Sequence, residues 1–317
     1  MTNGEPSKDG CEENAPGQSD SGTFVRLSIL VALGSLWLHL YVTLLGIWTD
    51  GSYYDYAWFV PPLLVLLFYQ RWQENADQFF TPQSDRFFAV AALLIFPALI
   101  FIRSVEGVDP TWRPPMILHA GIVTLVTLGL LKLLGGKDLL FKMLPVVIFG
   151  LSAIPYPYEI ETDVIGVLTG WVVESAGVIL HLLGRPVLVL GSIIEYRETK
   201  VEVTEGCSGI QSFHSLIMVS LYFGEFFRLT VFRRIFLTAS ACVVAIIINI
   251  GRAVSLAEIR FRQGEEKFDS LHDPVGHIAF AVGGVLLLVL ARFLISTKRR
   301  KTVSRVSKSS SKPAPSE

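Results

Sequence analysis

Apolar residues in this chain are grouped into blocks whose length matches the thickness of a lipid bilayer. A helix needs about 20 mostly apolar residues to cross the hydrocarbon core, and blocks of that size recur everywhere except at the two ends of the sequence. Hydrophobic side chains make up 51% of the 317 positions, which is more than a soluble globular protein usually carries. The sequence therefore predicts an all-α polytopic membrane protein with about eight transmembrane helices.

The eight predicted spans are separated by polar or proline-containing connections. They are Phe24–Trp48, Tyr53–Gln70, Phe87–Ile102, Met116–Leu134, Leu139–Ile154, Ser208–Phe227, Ile235–Ala253 and Val275–Ile295. Between the fifth and sixth spans, Ile165–Leu183 is apolar but interrupted by glycines, Glu174 and His181, which favours a helix in the membrane interface. Arg185–Val203 then alternates apolar and charged residues, which is typical of a short strand or extended segment.

The two ends of the chain differ in composition from the membrane domain at 23–297. Residues 1–22 are polar and glycine-containing, and residues 298–317 are rich in Lys and Ser, so both are predicted to be disordered cytoplasmic tails. The basic run that follows the last span indicates a cytoplasmic end, and an even number of spans then places both termini in the cytoplasm. The formal net charge of −1 does not indicate a nucleic-acid partner, and three cysteines cannot form a disulfide framework.

This orientation brings three distant residues to the outer face of the membrane. Cys207 opens the sixth span, Arg252 ends the seventh, and His272 precedes the eighth. Because each is reached at the same side of the bilayer, we expect the three side chains to lie in one layer. The sequence therefore predicts a polar site facing the periplasm or exterior.

Cys207 is the candidate nucleophile of this site. It lies in the run Glu205-Gly206-Cys207-Ser208-Gly209, and we expect it in the first turn of the sixth span, where free backbone N–H groups favour a thiolate. The two glycines leave room for a substrate backbone to approach. Taken alone, a membrane cysteine is more often an inert packing residue.

Arg252 is a charged residue at the end of an otherwise apolar run. Charges at membrane depth are costly and are associated with function, although a lone arginine at a span end can also reach to the interface as an anchor. Asn249 lies one turn earlier on the same helical face, which favours the functional interpretation.

The run Leu271-His272-Asp273-Pro274 is typical of a helix start. Proline suits the first helical position and aspartate the N-cap before it, so we interpret Asp273 as a cap and place His272 at the mouth of the eighth span. A metal site formed with His277 is disfavoured, because residues five apart do not share a helical face. No metal and no cofactor are predicted.

Cysteine, histidine and arginine together can perform acyl transfer. The thiolate attacks a carbonyl carbon, the histidine moves protons, and the guanidinium binds the oxyanion or the substrate. The product is a thioester, which an amine, a hydroxyl group or water can resolve.

The motifs resemble the signatures of the exosortase/archaeosortase family. They are Val201-Glu202-Val203-Thr204-Glu205-Gly206-Cys207-Ser208-Gly209-Ile210-Gln211-Ser212, Asn249-Ile250-Gly251-Arg252, and His272-Asp273-Pro274-Val275-Gly276. The resemblance implies a membrane cysteine transpeptidase of the hydrolase class, with Cys207 as nucleophile, Arg252 as clamp and His272 as acid and base. Glu205, Ser208, Gly209, Asn249, Asp273 and His277 are predicted to support the site or bind substrate.

The resemblance also implies the partners of the chain. Its substrates would be exported proteins with a C-terminal sorting signal, which consists of a short motif such as Pro-Glu-Pro, one transmembrane helix and a basic tail. The enzyme would cleave near the motif at the outer face of the inner membrane and could pass the protein to an acceptor nucleophile that the sequence does not specify. His277 and Tyr56-Ala57 depart from the family pattern, which bears on the substrate motif.

Two alternatives remain open at this point. A transporter or binding protein could use Glu205, Arg252 and His272 as a polar pocket. A hydrolase could cleave the same signal and release the product to water without transfer.

Overall fold

The computed structural model describes residues 18–49, 53–75, 86–203 and 209–310. Within these ranges the chain is mostly helical, with three short strands between the fifth and sixth helices. The helices are α1 (Gln18–Thr49), α2 (Val60–Asn75), α3 (Arg86–Val108), α4 (Arg113–Leu151), α5 (Tyr158–Leu182), α6 (Ile210–Phe226), α7 (Val231–Gln263) and α8 (Glu265–Ser310). The strands are β1 (Leu188–Leu190), β2 (Ile193–Tyr196) and β3 (Thr199–Glu202), and a 3₁₀ turn at Asp55–Phe59 precedes α2.

Helix α4 is interrupted at two adjacent glycines. Gly135 and Gly136 leave the helical conformation, and Gly136 has a φ of 69°, which only glycine adopts without strain. Leu131 and Leu134 before the break pack with Leu139 and Met143 after it. The break separates two helical halves that correspond to the fourth and fifth predicted spans.

Five described helical segments are long and apolar enough to cross a membrane. They are Leu30–Thr49, Arg113–Leu151, Tyr158–Leu182, Val231–Gln263 and Glu265–Ile295. The chain is accordingly a multi-pass membrane protein, whereas eight spans and the side on which the termini lie stay predictions.

A tightly packed group of helices forms the main core. It joins α1, α2, α4 and α6, with the 3₁₀ turn at one end. Aromatic side chains in this core use their polar atoms to fix helix ends: the Tyr41 hydroxyl donates to the Gly150 carbonyl at 3.0 Å, and the Trp48 indole N–H donates to the Ala153 carbonyl at 3.1 Å. Such bonds satisfy carbonyl groups at the end of α4 that have no partner inside their own helix.

Helices α7 and α8 form an antiparallel pair joined by Gly264 alone. The φ of Gly264 is 85°, a conformation that ends α7 and turns the chain back within one residue. Further along the pair, a Cβ atom on Gly283 would lie 2.9 Å from the Leu216 side chain, so α8 approaches α6 closely only because this position has no side chain.

Two predicted boundaries in this pair are wrong. Helix α7 continues ten residues beyond Ala253 to Gln263, and α8 begins at Glu265, so Pro274 lies inside a helix and Asp273 is not its N-cap. The extensions carry acids and bases, which the apolar pattern of a span does not include. The helix α8 also continues to Ser310, into the segment that composition assigns to the C-terminal tail.

The segment between α5 and α6 forms a small antiparallel sheet, with β2 in the middle. The predicted short extended segment at Arg185–Val203 is this sheet, and the rest of the described chain is mostly helical. The sheet packs on the second half of α5 and the end of α7 through Val173, Leu180, Ile194 and Ala257. We call this part of the molecule the cap and define it as residues 173–203 and 253–272.

Helix α5 begins at Tyr158, seven residues before the predicted interfacial helix. One of its glycines has a packing role, because a Cβ atom on Gly177 would lie 2.6 Å from the Val189 side chain of β1. At its end, Arg185 donates to both carboxylate oxygens of Glu258 on α7 at 2.9 and 3.3 Å. Arg185 also bonds to the Tyr196 hydroxyl, and this hydrogen bond lowers the pKa of Tyr196.

Candidate active site

Arg252 and His272 meet at the base of the cap, where α7 and α8 lie side by side. An Nη2 atom of Arg252 lies 3.1 Å from Nε2 of His272, although 20 residues separate them in sequence. Both side chains are partly buried. The structure thus brings together two of the three residues that the sequence assigns to one layer.

The hydrogen bonds of His272 define where its proton lies. A guanidinium group can only donate, so Nε2 accepts from Arg252 and the ring proton is on Nδ1. The Nδ1 atom lies 2.9 Å from Oδ1 of Asp273, which accepts that proton. Asp273 therefore orients the imidazole instead of capping the helix, and Nε2 of His272 faces the guanidinium.

One face of α8 is shaped around the guanidinium. Phe268, His272 and Gly276 recur every four residues and so lie above one another on the helix. The Phe268 and His272 rings are 5.9 Å apart, and a Cβ atom on Gly276 would lie 3.5 Å from the Arg252 guanidinium carbon. The glycine leaves a flat surface on which the planar group rests.

Gly209 and Asn249 lie in contact one turn below Arg252. Gly209 precedes α6 with a φ of 83°, and a Cβ atom there would lie 2.3 Å from Cγ of the buried Asn249. Both the backbone conformation and the contact require glycine at this position. The two motifs that contain Gly209 and Asn249 are therefore neighbours in space.

Val203, which precedes the segment 204–208, lies beside Arg252. A narrow cleft is lined by Val203, Arg252, Leu256 and Phe268, and it lies between β3, α7 and α8. Val203 is buried, and its N–H donates to the Ser192 carbonyl at 2.8 Å. The described residues on both sides of the segment 204–208 thus contact the face of α7 that carries Asn249 and Arg252.

Several predicted site residues are placed differently or are not placed. Glu205, Cys207 and Ser208 lie outside the described residues. Helix α6 begins at Ile210 after Gly209, and the prediction for Cys207 itself falls outside the described residues. His277 is exposed on α8.

A metal site would require several ligand side chains close together. Among the described residues, no group of three or more His, Cys, Asp or Glu side chains is arranged to hold a metal ion.

Contacts beyond the predicted motifs hold the start of α6. The Gln211 side-chain amide donates to Asp55 at 2.6 Å. One turn later the buried His214 ring packs among Tyr54, Tyr56 and Tyr156, with centroids 5.1 to 6.0 Å apart. Sequence reasoning missed this aromatic cluster, for which the only local signal is the position of Tyr156 between Pro155 and Pro157.

Comparison with known protein families identifies the family of this chain. A model of the transmembrane exosortase family matches residues 48–289, which is more than half of the chain. The chain belongs to the transmembrane exosortase family. No curated protein and no solved structure matches it.

Membership in the exosortase family carries general consequences. The family consists of membrane-embedded cysteine transpeptidases that act in the sorting of secreted proteins with C-terminal signals. The matched region includes the contact between Gly209 and Asn249, the Arg252–His272 pair and most of the helical bundle. The resemblance seen in the sequence is thereby confirmed at the level of the family.

Proposed function

We propose that this exosortase cleaves the C-terminal sorting signal of exported proteins through a thioester on Cys207, at the outer face of the inner membrane. The observation that carries the proposal is the Arg252–His272 pair, 3.1 Å apart, on the helical face that also receives both flanks of the loop containing Cys207. Two peptide units separate Cys207 from Gly209, so their Cα atoms are at most about 7.6 Å apart.

Arg252 is suited to bind the oxygen on which negative charge develops. Its Nε atom is buried and, among the described residues, has no hydrogen-bond acceptor. The only hydrogen-bond partner of the guanidinium in the described part of the chain is the ring of His272, not a carboxylate. A substrate carbonyl oxygen that becomes an oxyanion would meet an oriented cation that forms no ion pair with a described carboxylate.

His272 is suited to move the protons. When the guanidinium turns from Nε2 to the substrate oxygen, the Nε2 lone pair becomes free to accept the Cys207 thiol proton. The thiolate then forms a bond to the carbonyl carbon, the C–N bond breaks, and Nε2–H protonates the leaving amine. Asp273 holds the ring in the required tautomer throughout.

The second half of the reaction decides between transfer and hydrolysis. An amine or hydroxyl acceptor attacks the thioester carbonyl, gives its proton to His272 Nε2 and releases the Cys207 thiolate. Water in the same place gives a hydrolysed product. The substrate's own membrane helix would hold its cleavage site at the depth of Arg252, which supports a substrate anchored in the same bilayer.

Replacing Cys207 by Ala tests the proposal. We expect a co-expressed protein with a sorting signal to stay at full length with the variant and to be shortened by the unchanged enzyme, as seen by mass spectrometry of its C-terminal peptide. Replacing Cys242 by Ala, a partly buried cysteine on α7, is the matched control and should leave cleavage intact. Full cleavage by the Cys207 variant would refute the thioester mechanism.

The mass of the shortened product tests transfer separately. A product heavier than the hydrolysed protein identifies an acceptor, whereas the hydrolysed mass alone identifies a hydrolase. An impermeant thiol reagent then tests the orientation, since Cys207 should react from the outside of intact cells and not from the cytoplasmic side of inverted vesicles.

A further inference from the structure

A second site lies in the helical bundle, away from Arg252 and His272. It is a cavity of about 310 Å³ between α1, α2 and both halves of α4. Its lining includes Gly34, Trp37, Pro61, Phe68 and Met143, and no charged side chain belongs to it. The segments of α1 and α4 that line it are long and apolar enough to cross a membrane.

The polar atoms in the wall of the cavity are already used inside the protein. The Trp37 indole N–H donates to Oγ1 of Thr127 at 3.1 Å, and that hydroxyl donates to the Val123 carbonyl at 2.7 Å. The Tyr41 hydroxyl donates to Gly150. The described residues of the wall therefore form an apolar surface, with no unsatisfied polar group that would bind a polar ligand.

Glycines keep the cavity open. A Cβ atom on Gly150 would lie 2.8 Å from Trp37, so this glycine allows the indole to lie back against α4. A Cβ atom on Gly34 would meet no atom within 4 Å, because it would project into open space. The opening faces the surroundings of the bundle, since Leu38 and Val65 at its edge are 64% and 67% exposed.

The cavity is elongated along α1. On that helix its lining runs from Leu30 to Tyr41, about 16 Å of helix axis. An extended alkyl chain can lie along this length, against the side chains of α2 and α4.

We infer that this cavity binds one acyl chain of a membrane phospholipid between α1, α2 and α4. No water is present at this depth to fill an apolar opening, and an empty one would forfeit the contacts of its lining. The neighbouring lipid supplies such a chain at high concentration. This site is separate from the proposed peptide chemistry and does not depend on it.

Photolabelling of the full-length protein tests the inference. The protein is reconstituted in phosphatidylcholine vesicles that contain a small fraction of phosphatidylcholine with a diazirine in the middle of one acyl chain. After illumination, labelled peptides are identified by mass spectrometry. We expect label concentrated on the cavity-facing residues of α1 and α2, such as Trp37 and Phe68, above the level on lipid-exposed residues such as Val42.

Filling the cavity provides the decisive variant. Gly34→Leu places a branched side chain in the open space, and labelling of the cavity should fall at least about tenfold, a free-energy difference of about 1.4 kcal/mol. Gly46→Leu is the matched control, since it adds the same group on α1 outside the cavity, where a Cβ atom also meets nothing within 4 Å. In the Gly46→Leu variant, labelling of the cavity should stay unchanged.

Further measurements keep the inference falsifiable. Gly34→Ala should reduce labelling to an intermediate level if the larger variant does not fold. Equal labelling in all variants would overturn the inference. Loss of label when a hydrophobic transmembrane peptide is added would show that a helix, not a lipid chain, occupies the site.

Discussion

Partly buried arginines occur at two opposite ends of the bundle, and their partners differ. At the end away from the cap, the fully buried Glu225 pairs with Arg71, Arg228 and Arg234, the last at 2.6 Å. At the base of the cap, the described hydrogen-bond partner of Arg252 is the ring of His272. The first group shares a buried carboxylate, whereas Arg252 forms no ion pair with a described carboxylate. The comparison separates arginines that stabilise the fold from one that is available to a substrate.

The largest effect is expected where the charges are neutralised internally. Glu225→Gln leaves three arginines without their shared carboxylate, and removing one side of a buried ion pair costs about 3–5 kcal/mol. Thermal unfolding in detergent should show a large loss of stability, with the cleavage rate per folded molecule unchanged. The control is Glu74→Gln in the same cluster, where the carboxylate is 49% exposed and the cost should stay below about 1 kcal/mol. Equal losses in both variants would contradict this view of the cluster.

Arg252→Lys should lower the cleavage rate strongly and leave the stability nearly unchanged, the opposite of Glu225→Gln. Lysine keeps the charge but lacks the planar fork, and loss of one oxyanion donor costs about 2.7–4 kcal/mol, or 100- to 1000-fold in the cleavage rate. Stability should barely change, because lysine keeps the positive charge near Asp273 and Arg252 forms no ion pair with a carboxylate among the described residues. Arg260→Lys, two turns further along α7, is the control and should cleave normally. Normal cleavage by the Arg252→Lys variant would show that Arg252 only anchors the end of the span at the membrane interface.

Gly209→Ala tests whether the two motifs must touch. The new Cβ atom would lie 2.3 Å from Asn249, and the positive φ disfavours any side chain, so we expect a loss of about 2 kcal/mol in stability together with reduced cleavage. Gly121→Ala on α4 meets nothing within 4 Å and should be neutral or slightly stabilising. An unchanged melting temperature and rate for the Gly209 variant would show that the contact is dispensable.

The smallest effect is expected for Asp273→Asn. Its carboxylate orients His272 but is 81% exposed, so water screens much of its charge. We expect kcat to fall about tenfold, or 1.4 kcal/mol, with KM unchanged, because the residue positions a proton carrier and does not contact substrate. Asp269→Asn, one turn earlier on α8, should leave both constants unchanged. A change in KM alone would assign Asp273 to substrate binding.

The site was partly predictable because its residues interrupt apolar runs. Asn249 and Arg252 stand out in a span, and topology assigns Arg252 and His272 to one side, which the 3.1 Å contact agrees with. The orienting role of Asp273 was not predictable, because Pro274 suggested a helix start there. The helix in fact begins at Glu265, with a charged turn that no apolar pattern marks.

The fold was predictable where the bilayer dictates it and less so where the protein packs on itself. Apolar blocks gave the helices of the bundle. In the cap, the glycines of α5 suggested an irregular interfacial helix, yet Gly177 serves close packing against Val189. The alternation of apolar and charged residues in Arg185–Val203 indicated an extended segment, but a single sequence does not reveal which neighbour a glycine admits or how the strands pair.

The length of α7 ties the reaction to the thickness of the lipid bilayer. From Val231 to Arg252 the helix axis measures about 32 Å, close to the roughly 30 Å of a hydrocarbon core. In long-chain lipids the guanidinium would be drawn towards the acyl region unless α7 tilts, and in short-chain lipids it would stand clear in the headgroups. If Arg252 acts as proposed, we therefore expect the cleavage rate to depend on the acyl-chain length of the surrounding lipids.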